Sequence, residues 1–192
     1  MSPSPFVPFR ITVCGVEELQ GHCAAGISHV LSILDPGTPM PPSFGSFGEH
    51  VRLDLRFDDM IEEIEGRNPP AEEHVTALLA FGQELAAEAQ AADCHLLVHC
   101  FAGVSRSTAA MTLVLAQARP DRAPEEALAE VVRIRPQAWP NLRMLEMGDA
   151  RLGLGGRLVE AAHRHYRATA GRDPDWVTRM RAVGRGREVA SL

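Results

Sequence analysis

Between residues 51 and 57 apolar and charged side chains alternate, Val51, Leu53, Leu55 and Phe57 against Arg52, Asp54 and Arg56, and this period of two predicts a half-buried strand. The uninterrupted run Leu96-Leu97-Val98 predicts a fully buried one. Two further strands are expected over 9–13 and 29–34, the second closed by the turn Asp35-Pro36-Gly37, with a helix over 17–25 between them. Residues 38–47, rich in proline and glycine, read as a loop. After Pro69-Pro70 the period changes: Val75, Leu78, Leu79, Phe81 and Leu85 recur at helical spacing with glutamates between them, which predicts an amphipathic helix within 70–91. Helices are also expected over 107–118, 124–135 and 141–152, with a proline-bounded break at 136–140, and around 158–168. Strands alternating with helices make an α/β domain, a central, mostly parallel sheet of four or five strands flanked by helices. The domain is placed at 1–170, and 171–192 is read as a loose Arg-rich tail.

The candidate chemistry lies where the 96–98 strand meets the 107–118 helix, in His99-Cys100-Phe101-Ala102-Gly103-Val104-Ser105-Arg106-Ser107-Thr108. A helix N-terminus presents unpaired amides and a positive dipole end, so this junction favours an anion, whether a bound phosphate or the thiolate of Cys100. Gly103 permits a positive φ or a close backbone approach where successive amides turn inward, and Ala102 and Ser105 are small enough not to crowd the bound group. Phe101 and Val104 complete the phosphate-binding run. Arg106 offers a planar fork that can hold two phosphate oxygens at once. Ser107 is placed to hydrogen-bond the Cys100 sulfur and ease its departure, and His99 to orient backbone groups from behind the loop.

This segment resembles the signature of the cysteine-dependent protein tyrosine phosphatases, His-Cys-x5-Arg-Ser/Thr, and its Ala-Gly-Val-Ser-Arg-Ser filling is most similar to the dual-specificity branch, in the manner of a small bacterial tyrosine phosphatase. The resemblance covers roughly 27–145. It implies a protein-tyrosine-phosphatase-like fold and a two-step, metal-independent phosphomonoesterase without cofactor, in which Cys100 forms a cysteinyl phosphate and Arg106 holds the phosphoryl oxygens. Phosphate, sulfate or vanadate would occupy the loop. In that family a strand commonly ends in the aspartate that serves as general acid. Phe57-Asp58-Asp59 fits with Asp59 as the acid and Asp58 as the alternative. Asp59 precedes Cys100 by 41 positions, more than is usual for compact dual-specificity enzymes, and the surplus falls in 62–70, acidic and then proline-rich, which reads as an extended surface loop. Trp139-Pro140-Asn141 resembles the family's Pro-Asn segment, which makes Asn141 a supporting residue that braces the loop. His29, in a stretch resembling a family strand, reads as structural.

Composition narrows the partners. With 192 residues and 45% hydrophobic content the chain suffices for one domain with a proper core, and a net charge of −6 argues against nucleic acid as the general partner. No stretch is long and apolar enough to span a membrane and Met1-Ser2-Pro3-Ser4-Pro5 does not begin a signal peptide, so the cytoplasm is the expected compartment. The four cysteines show no Cys-x2-Cys pairing and the histidines no ligand spacing, so no metal is expected. Cys94, six positions before Cys100, would lie about 20 Å from it along a strand and reads as a plain core or surface cysteine. The expected partner is a phosphorylated protein, phosphotyrosine foremost, or a small phosphomonoester. Three other readings stay open: a rhodanese-like sulfurtransferase, a pseudophosphatase-type phosphobinding module, and a phosphatase of non-protein substrates such as phosphoinositides. Against the last, Phe101 and Val104 stand where lipid-directed relatives carry lysines.

Overall fold

Parallel strands cannot be joined by tight turns, so the chain must leave the sheet and cross over between each pair. In the computed structural model, which describes residues 5–172 and 174–190, β1 (Arg10–Gly15), β2 (His29–Leu34), β3 (Val51–Arg56) and β4 (His95–Cys100) form one sheet in the order β1-β4-β2-β3, and every pairing is parallel. Among the described residues the sheet has four strands, the smaller of the numbers expected. The two inner strands, β4 and β2, are buried at every position, whereas β3 at the edge exposes Val51 and Arg52.

Because side chains alternate across a strand, the sheet divides its apolar residues between two cores. Leu31, Ile33, Leu55, Leu96 and Val98 belong to the core shared with α1 (Glu72–Glu88), α2 (Arg106–Ala118), α3 (Pro124–Ile134), α4 (Leu142–Leu152) and α5 (Arg157–Ala170). Cys14, Val30 and Leu97 face the other way, onto Leu19 and Phe44. Helix α2 is buried from Arg106 to Ala116, which fixes its N-terminus, and with it the loop that follows Cys100, deep in the domain.

Three expectations change. Residues 17–25 form a shorter 3₁₀ segment, Val16–His22, whose start is tied down by the Gly15 amide donating to Glu18 Oε2 at 2.6 Å. The 38–47 loop contains a 3₁₀ turn, Pro42–Ser46, that carries Phe44 into the second core. The Arg-rich segment after α5 is not loose: α6 (Pro174–Ala182) and a 3₁₀ turn, Gly186–Val189, fold back onto the domain and bury Arg185, Glu188 and Val189. They dock on the stacked rings of Trp139 and Tyr166, 4.6 Å apart, with Trp176 edge-on to Trp139 at 5.3 Å. Residues 173, 191 and 192 of the expected tail lie outside the described residues.

All four strands end on the same side, the usual place for ligands in a parallel sheet. Gly15 closes β1, Asp35 follows β2, Asp58 and Asp59 come just after β3, and Cys100 closes β4.

Candidate active site

The loop from Cys100 to Arg106 turns back on itself around Gly103, whose φ is +68°. A Cβ at this position would lie 2.5 Å from the carbonyl carbon of Cys14 and 2.6 Å from the Arg135 guanidinium, so both the conformation and the space demand glycine.

The loop carbonyls are taken up from outside, one after another. Phe101 O accepts from the Val16 amide at 2.9 Å, Ala102 O from Arg135 Nη2 at 3.1 Å, and Gly103 O from Arg135 Nε at 2.9 Å. Val104 O accepts from the Trp139 amide at 2.9 Å, and Ser105 O from the amides of Ala109 and Asn141 at 3.0 and 3.3 Å. A trans peptide sets its N–H opposite its C=O, so the amides of 102–106 point away from these outer partners, and among the described residues none of them is seen to donate to a protein acceptor. The result is a ring of backbone donors at the start of α2, with Cys100 at its base.

Arg135 is itself held by Glu18, which accepts from Nη1 and Nη2 at 2.8 and 2.7 Å. The hydrogen bond from Arg135 holds the Glu18 carboxyl below the usual carboxylate range. Cys14, behind the loop, is pushed up to about 12, by burial first and by the Glu18 charge second, and stays a thiol.

Cys100 Sγ lies 3.1 Å from Ser107 Oγ, the pairing expected from the sequence. Arg106 is buried and its Nη1 is anchored twice, to Asp35 Oδ1 at 2.5 Å and to the Phe57 carbonyl at 2.6 Å. Its Nε is buried without a hydrogen-bond partner among the described residues, and the residue lines the cavity over Cys100. One arm of the guanidinium is thus fixed to protein while its Nε remains unengaged.

The two aspartates after β3 have separate environments. Asp58 is buried; its carboxylate accepts from the Asn68 amide at 2.7 Å and pairs with Arg67 at 3.1 Å, and its own amide donates to Asn68 O at 2.7 Å, so it closes the 58–68 loop. Asp59 faces the cavity. Its Oδ1 accepts from Ser105 Oγ at 2.7 Å, Asn141 Nδ2 at 2.9 Å and Arg185 Nη1 at 3.3 Å, and Oδ2 takes part in none of these bonds. Asn141 also caps α4 through its Oδ1, which accepts from the Met144 amide at 3.1 Å, so a single buried residue joins the loop through its backbone amide and the aspartate and the next helix through its side chain.

His99 is fully buried, its ring 5.4 Å from that of Phe44 between centroids. Burial lowers it to about 4, against a smaller opposing contact with the Cys100 backbone, and it stays neutral.

A cavity of about 410 Å³ opens over the loop, with Cys100 and Arg106 in its floor, Asp59 and Arg185 side by side, and Trp139, Trp176 and Met180 as its apolar part. A larger, open depression of about 800 Å³ adjoins it at Arg67 but contains neither the cysteine nor the loop. Asp35, Glu18, Arg135, Arg185, Trp176 and Met180 were not expected from the sequence. The 62–70 segment does border the site, since Arg67 lines both cavities.

Arg185 is held on two sides. Its Nη1 donates to Ser105 Oγ at 2.8 Å and to Asp59, and its Nε and Nη2 donate to Glu188 at 2.8 and 2.7 Å. Burial works against its charge, but Asp59 and Glu188 outweigh burial and hold it protonated.

Among the described residues the grouping able to hold a metal ion is His29, Glu88 and Cys94, with ligand atoms within 4.8 Å of one another. It sits at the opposite end of the sheet, where β2 and β4 begin. His29 Nε2 there faces Glu88 at 3.3 Å and Nδ1 lies 2.9 Å from Ser28 Oγ, consistent with a structural role. No helix among the described residues is long and apolar enough to cross a membrane.

No protein-family model matches the chain, and no curated protein does. Solved structures do. The chain is similar to human DUSP28 (17% identity, 75% of this chain and 92% of that one, TM-score 0.56), to the human tyrosine phosphatase-like serine/threonine/tyrosine-interacting protein (18%, 78% and 95%, TM-score 0.58) and to PTPMT1 in complex with PI(5)P (15%, 76% and 91%, TM-score 0.54). The fold is that of the dual-specificity phosphatases.

Proposed function

We propose that this chain, built on the dual-specificity phosphatase fold, is a metal-independent phosphomonoesterase that acts on phosphorylated proteins, phosphotyrosine foremost, through a cysteinyl-phosphate intermediate. The observation that carries this reading is the loop after Cys100: the carbonyls of 101–105 are bonded outward, the amides of 102–106 lie on the opposite side of those peptides, and Arg106 keeps an unengaged buried donor. Such a ring suits the three non-bridging oxygens of a phosphoryl group and the charge they carry in transfer.

In the first step Cys100 Sγ attacks phosphorus and the bond to the leaving oxygen breaks, while Asp59 protonates that oxygen from Oδ2, the atom outside its three hydrogen bonds. In the second, Asp59 takes a proton from the water that attacks the cysteinyl phosphate, and the S–P bond breaks. Ser107, 3.1 Å from the sulfur, donates to the departing thiolate. Arg106 and the loop amides hold the phosphoryl oxygens through both steps.

The apolar part of the cavity, Trp139, Trp176 and Met180, favours an aromatic ester over a short alkyl one. A nucleophilic thiolate calls for a reducing compartment, in keeping with the cytoplasm.

The test is steady-state hydrolysis of para-nitrophenyl phosphate between pH 5 and 8, in EDTA and reducing agent, for the wild type and Cys100→Ser, followed by phosphopeptide and phosphoinositide panels. Turnover confined to the wild type supports the reading. Turnover retained by the variant ends the covalent mechanism, and an inactive wild type that still binds vanadate makes the protein a phosphobinding module.

A further inference from the structure

A buried arginine–glutamate pair is a poor way to glue a C-terminal segment to a domain, because removing two charges from water costs about as much as their attraction returns and apolar side chains would hold it equally well. What such a pair supplies is direction. Glu188 is fully buried and is itself fixed by the Trp139 indole, 2.5 Å from Oε2, and the Leu142 amide, 3.2 Å from Oε1. It grips Arg185 by Nε and Nη2, so the guanidinium plane cannot turn, and the remaining nitrogen, Nη1, points at Asp59 Oδ1 and Ser105 Oγ.

Ser105 shows what this arrangement displaces. It stands at the N-cap of α2, where a serine oxygen ordinarily accepts from a helix amide, yet here its hydroxyl makes no cap bond. It accepts from Arg185 and donates to Asp59 instead, so Asp59, Ser105 and Arg185 close a three-membered ring of hydrogen bonds.

We infer that Arg185 is a positioning residue for the proposed acid: with Ser105 and Asn141 it engages Oδ1 of Asp59 and leaves Oδ2 to face the leaving group. The inference rests on the phosphatase reading. The C-terminal segment is then part of the active site, and a segment that reads as a loose Arg-rich tail has a function in proton delivery.

The experiment measures kcat and KM of the full chain against aryl phosphates of graded leaving-group basicity, from 2,4-dinitrophenyl to phenyl phosphate, for the wild type, Arg185→Met, Arg185→Lys and Asp59→Asn, and for the Arg185→Met/Asp59→Asn pair. Arg185→Met should lower kcat on phenyl phosphate by about ten- to a hundredfold, as expected for partial loss of general-acid catalysis. It should leave dinitrophenyl phosphate, whose leaving group needs no proton, nearly unchanged, with similar KM values. Arg185→Lys should recover part of the loss, and Arg185→Met should add nothing in the Asp59→Asn background, because the two changes remove one function. A uniform loss across the series, no loss at all, or additivity with Asp59→Asn overturns the inference. If Arg185→Met does not fold, Glu188→Gln, which keeps the arginine but weakens its hold, must show the same leaving-group dependence. A wild type without Cys100-dependent turnover fails the phosphatase reading instead, so the two failures are distinct.

Discussion

Arg135 and Glu18 lie 117 positions apart and meet in a two-pronged ion pair, 2.8 and 2.7 Å, directly behind the candidate phosphate loop. The same guanidinium donates to the carbonyls of Ala102 and Gly103. Its importance lies in which way those peptides face, since a peptide that flips exchanges an inward donor for an inward acceptor. Arg135→Leu should weaken orthovanadate inhibition about tenfold or more, the cost of one or two charge-assisted hydrogen bonds. An unchanged inhibition constant in the folded variant would show that the loop holds its peptides without the arginine.

The two aspartates after β3 should separate cleanly. Asp59→Asn should lower kcat on phenyl phosphate by about a hundredfold or more, and far less on dinitrophenyl phosphate. Asp58→Asn should do the reverse: it removes charge from the Asn68 and Arg67 contacts and should cost about 1–3 kcal/mol in denaturant unfolding, with activity on activated aryl esters retained. Exchange of these two outcomes would move the acid by one residue.

Gly103→Ala places a methyl group against the Cys14 backbone in a conformation that alanine rarely adopts. The expected destabilisation is more than about 1 kcal/mol, read by chemical denaturation, and the loop should lose phosphate affinity along with it.

Acid should weaken the fold through His99. Its folded value of about 4 lies below the 6.5 of an unhindered imidazole, and burial is the main cause. Below pH 6.5 the unfolded chain therefore takes up a proton that the folded chain refuses until about pH 4. The stability from this group is complete above pH 6.5 and is lost as pH falls toward 4, by on the order of 3 kcal/mol. His74 and His95, also lowered by burial, act in the same direction. His99→Phe should remove up to about 1.4 kcal/mol per pH unit from the slope of unfolding free energy between pH 4.5 and 6. An unchanged slope would contradict a neutral buried ring.

What could be read from the sequence was local. Cys100, Gly103, Arg106 and Ser107 sit within eight positions, and their spacing carries their geometry. Strand β3 and the acids that end it follow from alternation alone. The residues that escaped notice are those whose partners lie far along the chain. Asp35 reads as a turn residue, and Glu18 and Arg135 fall within expected helices without standing out. Arg185 and Glu188 fall in the Arg-rich run that reads as a loose tail. Nothing local shows that Trp139 and Tyr166 form a platform that buries them. The burial of His99 against Phe44 was likewise hidden, because Phe44 lies in a 3₁₀ turn far along the chain that read only as a loop.

The site gathers Glu18, Asp35, Asp59, Cys100, Arg135, Asn141 and Arg185 from nearly the whole length of the chain. Contacts of such wide separation form slowly, because each closes a long loop before anything is gained. During synthesis the Cys100 loop leaves the ribosome 35 residues ahead of the arginine that orients its peptides and 85 ahead of the one beside Asp59. A nascent chain therefore holds all four strands before it holds the two arginines that complete the site.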